Sequence, residues 1–431
     1  MGDEAIIEAV IKNIRQRRPS WEISGFSMNP DDTARRYGIP AFPIRQRKQG
    51  RTQNADQEKQ LATSVKETDV SLANSAGLRD RLKRIVLLRQ FVRGARFVIF
   101  LPRTIWRECV FLRESFRIVR RLDFLVIAGS NQFLDNFGGV WGFPWTLLKW
   151  TVLARLAGVR VVYLSVGAGP IKSRWSRIMG RTALLLADYA SFRDAGSKRL
   201  MEWAGSGGNW QVYPDLAQSL PIQQHPLKDD TQSPVVGINP MPVYDPRAWC
   251  EPSDARYERY VDELAKFTSR LIRDGYPVFL FTTQPSDGPV IADIFARIDP
   301  NLLEGRSKPE QKSSDSVEDT IRIFASADVI VPTRYHGTVL GLHARRPVLG
   351  ICYYRKTREV LEAMDQGDYA VDIDTFTHED LWQRFQQLAS RRFMEAETIA
   401  RQGEAIGSRL SEQYDRVLNI LEQRGVRGGV S

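Results

Sequence analysis

The sequence has little cysteine, little histidine and no long apolar run. Its three cysteines, Cys109, Cys250 and Cys352, are far apart and form no Cys-x-x-Cys pair. This pattern argues against a disulfide framework or a cysteine zinc site and indicates a reducing compartment. No apolar run approaches the roughly 18 residues of a membrane-spanning helix, and the N-terminus carries no signal peptide. We therefore expect a cytoplasmic protein, or one that is peripheral at the inner face of a membrane.

What the chain does have is length and positive charge. Its 431 residues, of which 42% are hydrophobic, are enough for two domain cores, and the net charge is +10. Such a charge favours an acidic partner, namely an anionic substrate, a membrane surface or nucleic acid. Nucleic acid is not expected, because the basic residues belong to no recognised nucleic-acid-binding module.

Short apolar segments alternate with helical patterns in both halves of the chain, which predicts an α/β fold with parallel sheets. We expect two Rossmann-like domains that face a central cleft. The first covers residues 1–213, and the second covers residues 235–431 and ends in a helical tail. Residues 214–234 contain prolines and little periodicity, so they are the predicted linker.

Two segments of the N-terminal half depart from this alternation. Residues 45–77 are polar and poor in apolar residues, which predicts a mobile insertion. Residues 79–121 carry basic residues among Leu, Val, Phe and Ile. They predict either a strand flanked by helices whose arginines face solvent, or a surface that contacts an anionic membrane or a lipid-linked substrate.

The loop that follows a predicted strand at 328–332 holds the first candidate site. Arg334, Tyr335 and His336 fall there, beyond the carboxyl end of the strand, where ligands sit in parallel sheets. Gly337 lets the backbone approach a ligand, and the N-terminus of the following helix favours an anion. The alternatives are an ion pair between Arg334 and a surface carboxylate, and a capping or packing role for His336.

Five segments, in this order, carry a resemblance to a known family. They are GSNQFLDNFGGVWGFPW at 129–145, YLSVGAGP at 163–170, SFRD at 191–194, YPDLAQSLP at 213–221 and TRYHGTVLGLHARRPVLGI at 333–351. Together they resemble the polysaccharide pyruvyl transferase family over almost the whole chain. The resemblance implies a GT-B-like fold. It also implies transfer of the enolpyruvyl group of phosphoenolpyruvate to a sugar, typically as a cyclic ketal on two hydroxyls.

The resemblance further implies that Arg334 and His336 form the donor-binding motif and that Arg193 belongs to the site. Family members usually begin with a strand and a glycine-rich loop that lead into Gly-Asp-Glu-Ala. This chain starts at that motif, with Met1-Gly2-Asp3-Glu4-Ala5. We therefore expect its first strand to be absent, through either a late start site or a real loss.

Phosphoenolpyruvate carries a carboxylate and a phosphate, which suit paired arginines and a helix N-terminus. We expect Arg334 and Arg193 to clamp the donor, with Tyr335 and Gly337 beside them. His336 is the only histidine in a strand-end loop that opens directly onto a helix. Its ordinary pKa suits proton transfer near neutral pH, so it is expected to act as general acid or phosphate partner.

Three further residues have alternative roles. Asp194 accepts a hydroxyl proton from the sugar, or it forms a salt bridge that orients Arg193. Asn131 and Asp135 face the acceptor, or they close Asx turns. No cluster of Asp, Glu and His indicates a metal, and we expect no cofactor beyond phosphoenolpyruvate as the donor substrate.

The expected acceptor is a sugar of a cell-surface polysaccharide or of its lipid-linked oligosaccharide precursor. Two other functions stay open at this point. One is a GT-B glycosyltransferase that uses a nucleotide sugar, and the other is an inactive component of a polysaccharide pathway.

Overall fold

The computed structural model describes most of the chain: residues 2–46, 106–136, 138–208, 210–229, 232–249, 251–304 and 309–422. The chain divides into two compact units. The larger contains 1–22, 123–155 and 160–431, and the smaller contains 23–122 and 156–159. The described residues include only the first two residues of the predicted insertion at 45–77. They also leave out the basic segment up to residue 105.

The first helix, α1 (Gly2–Arg17), is the one that the apolar spacing of this segment predicts. It carries Asp3 and Glu4 in its first turn and Arg15 and Arg17 in its last turn, as the helix dipole favours. Its apolar face is buried within the larger unit. The side chain of Asn13 donates to the carbonyl oxygen of Ser219 at 3.0 Å, so α1 is fixed beside the segment that follows Asp215.

The smaller unit contains a two-stranded parallel sheet. Its described elements are β1 (Gly25–Ser27), α2 (Pro30–Tyr37), β2 (Ala41–Pro43) and a helix, α3, over residues 106–119. Helix α2 ends at Gly38, which has a φ of 61°. Glycine adopts this left-handed conformation without a steric penalty, so it ends the helix cleanly.

The N-terminal sheet of the larger unit is parallel, with strand order β3-β5-β6-β7, and β4 pairs with the end of β5. Its elements are β3 (Phe124–Ala128), β4 (Asn131–Phe133), α4 (Phe143–Leu156), β5 (Arg160–Ala168), α5 (Arg174–Leu185), β6 (Tyr189–Phe192), α6 (Ala195–Trp203) and β7 (Gln211–Val212). Strand β5 is buried along nearly its whole length. Its continuous apolar run is typical of a central strand that is covered on both faces.

The C-terminal sheet is also parallel, with order β10-β9-β8-β11, and β12 and β13 form a small second sheet. The elements are β8 (Val236–Asn239), α7 (Asp254–Arg273), β9 (Val278–Thr282), α8 (Gly288–Phe295), β10 (Glu310–Ser313), α9 (Val317–Ala325), β11 (Val329–Pro332), α10 (Tyr335–His343), β12 (Gly350–Cys352), α11 (Arg355–Ala363) and β13 (Ala370–Asp372). Strand β10 is mostly exposed at the sheet edge. Its polar sequence therefore carries no apolar pattern that predicts a strand.

The chain ends in two helices, α12 (His378–Ser390) and α13 (Arg392–Glu422). Helix α13 returns to the N-terminal sheet, where Gln413 Nε2 donates to Ser165 Oγ at 3.0 Å and to Ser191 Oγ at 2.7 Å. Both large sheets and the tail thus belong to one compact unit. The predicted α/β fold with parallel sheets is confirmed, whereas the domain boundaries at 213 and 235 stay a prediction.

Candidate functional site

Asp215 is the centre of a buried polar cluster that joins loops from both large sheets. It follows β7 and is 3% exposed. Its Oδ2 accepts from Arg193 Nη1 at 3.0 Å and from the Tyr335 hydroxyl at 3.4 Å, and it lies 3.9 Å from His336 Nε2. Arg193 follows β6, and Tyr335 and His336 follow β11. The carboxyl ends of strands in the two sheets therefore meet at this cluster, where parallel sheets place their ligands.

The guanidinium of Arg193 is held between a glycine and an aromatic ring. A methyl group at Gly167 would lie 2.6 Å from Arg193 Nε, so only glycine leaves room for the guanidinium at this position. On the other side, Arg193 Cζ lies 4.7 Å from the ring centroid of Tyr335. The buried Nε has no hydrogen-bond partner among the described residues. Arg193 therefore keeps one donor for a ligand.

His336 is a neutral imidazole in this arrangement. Burial lowers its pKa to about 3, and the nearby charge of Asp3 only partly opposes this effect. Its buried Nε2 accepts no hydrogen bond from any residue that the structure describes. The ring also packs against Gly2 at the start of α1, where any side chain would collide with it. This contact explains why glycine stands at the first turn of α1.

Lys356 lies on the first turn of α11 and is a further cation of the site, which was not predicted from the sequence. Its Nζ lies 4.9 Å from the ring centroid of Tyr335 and 5.5 Å from that of Tyr354, and it forms no ion pair with a described residue. Burial, together with the positive charge of Arg193, lowers its pKa to about 7. An ammonium without a carboxylate partner, beside a buried arginine, favours an anionic ligand.

A cavity of about 500 Å³ opens beside this cluster, and its lining includes Arg193, Asp194, Asp215, Tyr335 and Lys356. The cluster also contains a neutral tyrosine, since burial raises the pKa of Tyr335 above its ordinary value. Its hydroxyl therefore keeps its proton at neutral pH and donates it in a hydrogen bond to Asp215. Together these residues place two cations, Arg193 and Lys356, at the lining of the cavity.

Arg334 is engaged elsewhere in the structure. Its Nε donates to Asp287 Oδ1 at 2.8 Å and Oδ2 at 2.9 Å, its Nη2 also bonds Asp287 Oδ1, and Nη2 donates to Ser286 Oγ at 3.1 Å. Asp287 is fully buried after β9 and also accepts from the backbone N–H groups of Thr283 and Gln284. The carboxylate partner is thus buried rather than at the surface, and it offsets most of the Arg334 charge.

The other predicted residues take local structural positions. Asp194 caps α6, with its two oxygens accepting from Ser197 N at 2.6 Å and Ser197 Oγ at 2.7 Å, and it lies 4.0 Å from Arg193 Nε. Gly337 is in α10, where a methyl group would lie 2.7 Å from Asn239 Oδ1. Their roles toward a donor or a sugar stay predictions.

The two residues that were predicted to bind the acceptor sugar lie in and directly after strand β4 of the N-terminal sheet. Asn131 pairs with Gly167 across β4 and β5, and its buried Oδ1 has no hydrogen-bond partner within the described part of the chain. Asp135 accepts from the backbone N–H groups of Lys172 at 3.0 Å and Ser173 at 2.7 Å, so it fixes the start of α5. Of these two residues, Asn131 is therefore the one whose side-chain oxygen has no partner among the described residues.

Asp215, Asp287 and Lys356 were not predicted from the sequence as members of the site. Each of the three residues follows a strand of a parallel sheet, and this position is the feature of the sequence that could have identified it as part of the site. Asp215 even lies in a quoted segment, Tyr213-Pro214-Asp215. For Lys356, however, two arginines lie within two positions of it, and the sequence does not show which cation turns inward. In the described ranges, no group of three or more His, Cys, Asp and Glu side chains is arranged to hold a metal ion.

Comparisons with known proteins identify both a family and a fold. The model of the polysaccharide pyruvyl transferase family matches residues 1–354. A search of curated proteins finds no match.

Among solved structures, the UDP-GlcNAc 2-epimerase from Neisseria meningitidis bound to UDP-GlcNAc is similar with a TM-score of 0.55 and 10% identity, over 98% of each chain. HepE from Anabaena, in complex with UDP and glucose, has a TM-score of 0.50 and 14% identity over 96% of this chain and 95% of that chain. At these identities the similarity concerns the fold alone, and the predicted GT-B-like fold is confirmed.

Proposed function

The chain belongs to the polysaccharide pyruvyl transferase family, and from this premise we propose that it transfers a pyruvyl group from phosphoenolpyruvate to a sugar. The proposed acceptor is a sugar of a cell-surface polysaccharide or of its lipid-linked precursor, and the product is a ketal. The observation that carries the proposal is the cluster around Asp215, in which Arg193 and Lys356 stand beside a neutral His336 at the ends of parallel strands.

The proposed donor site keeps Arg193, which the sequence predicted, and has Lys356 in place of Arg334 as the second cation. Phosphoenolpyruvate has a carboxylate at one end and a phosphate at the other, so its site needs two separate cationic groups. Arg193 offers an unpartnered Nε within the described residues, and Lys356 offers an unpaired ammonium when protonated. Arg334, whose charge Asp287 offsets, contributes mainly by fixing the start of α10.

The proposed reaction joins two sugar hydroxyls to the same carbon of the enol and releases phosphate. A proton is added to the methylene carbon, and the first hydroxyl attacks the adjacent carbon and loses its proton. The bond from this carbon to the phosphate oxygen then breaks, and phosphate leaves with the electron pair. The second hydroxyl bonds to the same carbon and closes the ketal, and its proton goes to the departing phosphate. The net change consumes one phosphoenolpyruvate and two sugar hydroxyls and yields one ketal and one inorganic phosphate. His336 carries the proton to the methylene carbon in this scheme.

The test of this function incubates the full chain with phosphoenolpyruvate and a panel of soluble and lipid-linked glycans. We expect inorganic phosphate release that depends on the acceptor, and a glycan product whose mass increases by the mass of a pyruvyl ketal. Release of a nucleoside diphosphate from a nucleotide sugar, with phosphoenolpyruvate left intact, would instead identify a glycosyltransferase. Turnover of neither donor with any acceptor would favour an inactive component.

Donor affinity is expected to fall as pH rises above about 7, because of Lys356. Below its pKa of about 7 the ammonium is charged and attracts the donor. Above it, the free protein must take up a proton on binding, so the dissociation constant rises by up to about tenfold per pH unit until the pKa of the complex is reached. Calorimetric titration with phosphoenolpyruvate at pH 6.5 and 8.5 measures this difference.

Two substitutions separate charge from shape at this position. Lys356→Arg keeps a cation at every pH and is expected to remove most of the pH dependence. Lys356→Met is expected to weaken donor binding by roughly ten- to a hundredfold at pH 6.5, since it removes a charge-assisted hydrogen bond. Wild-type affinity that stays constant between the two pH values, together with unchanged donor binding by Lys356→Met, would show that Lys356 does not bind the donor.

A further inference from the structure

Helix α5 (Arg174–Leu185) exposes large apolar side chains on its outer face. Trp175 is 66% exposed, Ile178 43% and Leu185 53%. On the opposite face of the helix, small residues and Leu184 are buried within the larger unit. Helical spacing places Ile178 and Leu185 almost in line along the outward side, with Trp175 beside them. Exposing three large apolar side chains on one short helix carries a solvation cost that a single scattered residue does not.

Two more tryptophans extend this surface. Trp203, at the end of α6, is 66% exposed and is stacked by Arg177, whose Cζ lies 4.8 Å from its ring centroid. Trp141, which is 72% exposed, belongs to a turn at Gly139–Trp141 that contacts α5. Three of the four exposed tryptophans in the described part of the chain are therefore on or beside this helix. We call Trp141, Trp175, Ile178, Leu185 and Trp203, with the arginines of α5, the α5 face.

The charge on the α5 face has one sign. Helix α5 contains Arg174, Arg177 and Arg181 and no acidic residue. None of these three arginines forms an ion pair with a residue that the structure describes, although exposed arginines elsewhere, such as Arg322, pair with neighbouring acids. Unpaired arginines interleaved with tryptophan and aliphatic side chains match an anionic lipid surface. Tryptophan rings sit at the headgroup level, and arginines pair with lipid phosphates.

We propose that the α5 face docks the protein on an anionic phospholipid bilayer, with α5 lying in the plane of the interface. The segment at 79–121, for which membrane contact was one of two predicted alternatives, is not part of the α5 face. No helix of the described residues is long and apolar enough to cross a membrane, and the proposed contact is peripheral. The inference does not depend on which donor the enzyme uses, since it rests only on the exposed side chains and charges of one surface.

Vesicle co-sedimentation of the full chain tests the proposal. We expect binding to vesicles of phosphatidylcholine with phosphatidylglycerol, little binding to phosphatidylcholine alone, and weaker binding as salt rises. The variant Arg174→Gln/Arg181→Gln is expected to lose roughly fivefold in affinity for each arginine. The variant Trp175→Gln/Ile178→Gln/Leu185→Gln is expected to lose at least about tenfold, because it removes the apolar side chains that enter the interface.

A control changes one exposed apolar residue and one exposed arginine on α13. The variant Met394→Gln/Arg401→Gln alters an exposed methionine, 47% exposed, and an exposed arginine away from the α5 face, and its vesicle binding is expected to equal that of the wild type. Unchanged melting temperatures and near-ultraviolet circular dichroism verify that all variants are folded. Equal vesicle binding by the wild type and both α5 variants would overturn the proposal. So would an oligomer in lipid-free solution that the α5 variants dissociate, which would assign the α5 face to a second copy of the chain.

Discussion

Replacing Arg193 with methionine is expected to lower the free energy of unfolding by about 3–5 kcal/mol, because it leaves Asp215 as a buried carboxylate without its cation. The side chains of both residues are almost completely inaccessible, at 1% and 2%, and they are joined by a 3.0 Å hydrogen bond. Methionine has a similar length and leaves little cavity, so the loss reports the uncompensated charge. Chemical denaturation of the full-length variant, followed by circular dichroism, measures the effect.

The double variant Arg193→Met/Asp215→Asn provides the decisive comparison. Asparagine removes the charge but keeps the side-chain oxygen that accepts from Ala217 N at 3.0 Å in the wild type. We therefore expect the double variant to regain much of the lost stability. As a control, Arg322→Met breaks the exposed pairs with Glu318 and Asp319 and is expected to leave stability nearly unchanged, because water screens both pairs. A single Arg193 variant as stable as this control would mean that Asp215 does not depend on the arginine.

The same buried pair shows which part of the site the sequence could predict. Strand–helix alternation placed Arg193, Tyr335 and His336 at the carboxyl ends of strands, and the structure brings all three to Asp215. The prediction worked because the position of a loop in a parallel sheet follows from the order of its elements. The direction of each long side chain does not follow from this order, since it depends on the partner that the fold brings near.

Arg334 illustrates that limit. Its loop position was correct, but its guanidinium turns to Asp287, which is 47 positions away along the chain and follows a different strand. No spacing rule connects the two residues. The same holds for His336, whose low pKa results from burial against α1 at the start of the chain. The sequence predicts an ordinary pKa for this histidine, because no residue near it in the chain indicates that its side chain is desolvated.

The boundaries of helices and strands were easier to predict than the side chains that each residue contacts. The strand predicted at 328–332 matches β11 (Val329–Pro332) within one residue. Tyr335 and His336 were expected in the loop before the following helix, yet α10 begins at Tyr335. Its first turn therefore contains Tyr335, His336 and Gly337. Fixing these three residues in a helix limits their freedom and sets the direction of His336 toward Asp215.

Substituting His336 with glutamine is expected to lower turnover by about 10²–10⁴-fold while changing donor affinity by less than about tenfold. In the free protein burial holds the pKa of His336 at about 3, so the imidazole is neutral at pH 7. A donor phosphate beside Nε2 would favour the protonated ring and raise this pKa. The proton would thus enter with the donor and be available for the methylene carbon. Glutamine keeps a hydrogen-bonding side chain but cannot deliver that proton.

Single-turnover rates and separate donor titrations of the full-length enzyme distinguish this role from a structural one. If His336 delivers the proton, the wild-type rate at saturating donor should fall as pH rises through the pKa of the complex, and the glutamine variant should lack this decline. His378→Gln is the matched control, because His378 pairs with Glu263 at 2.8 Å on α7, and its rate is expected to equal that of the wild type. If the glutamine variant turns over at the wild-type rate, the role that is left for His336 is its packing against Gly2. A loss confined to donor affinity would instead make His336 a phosphate ligand, because a group that acts only in the transition state changes the rate and not the binding.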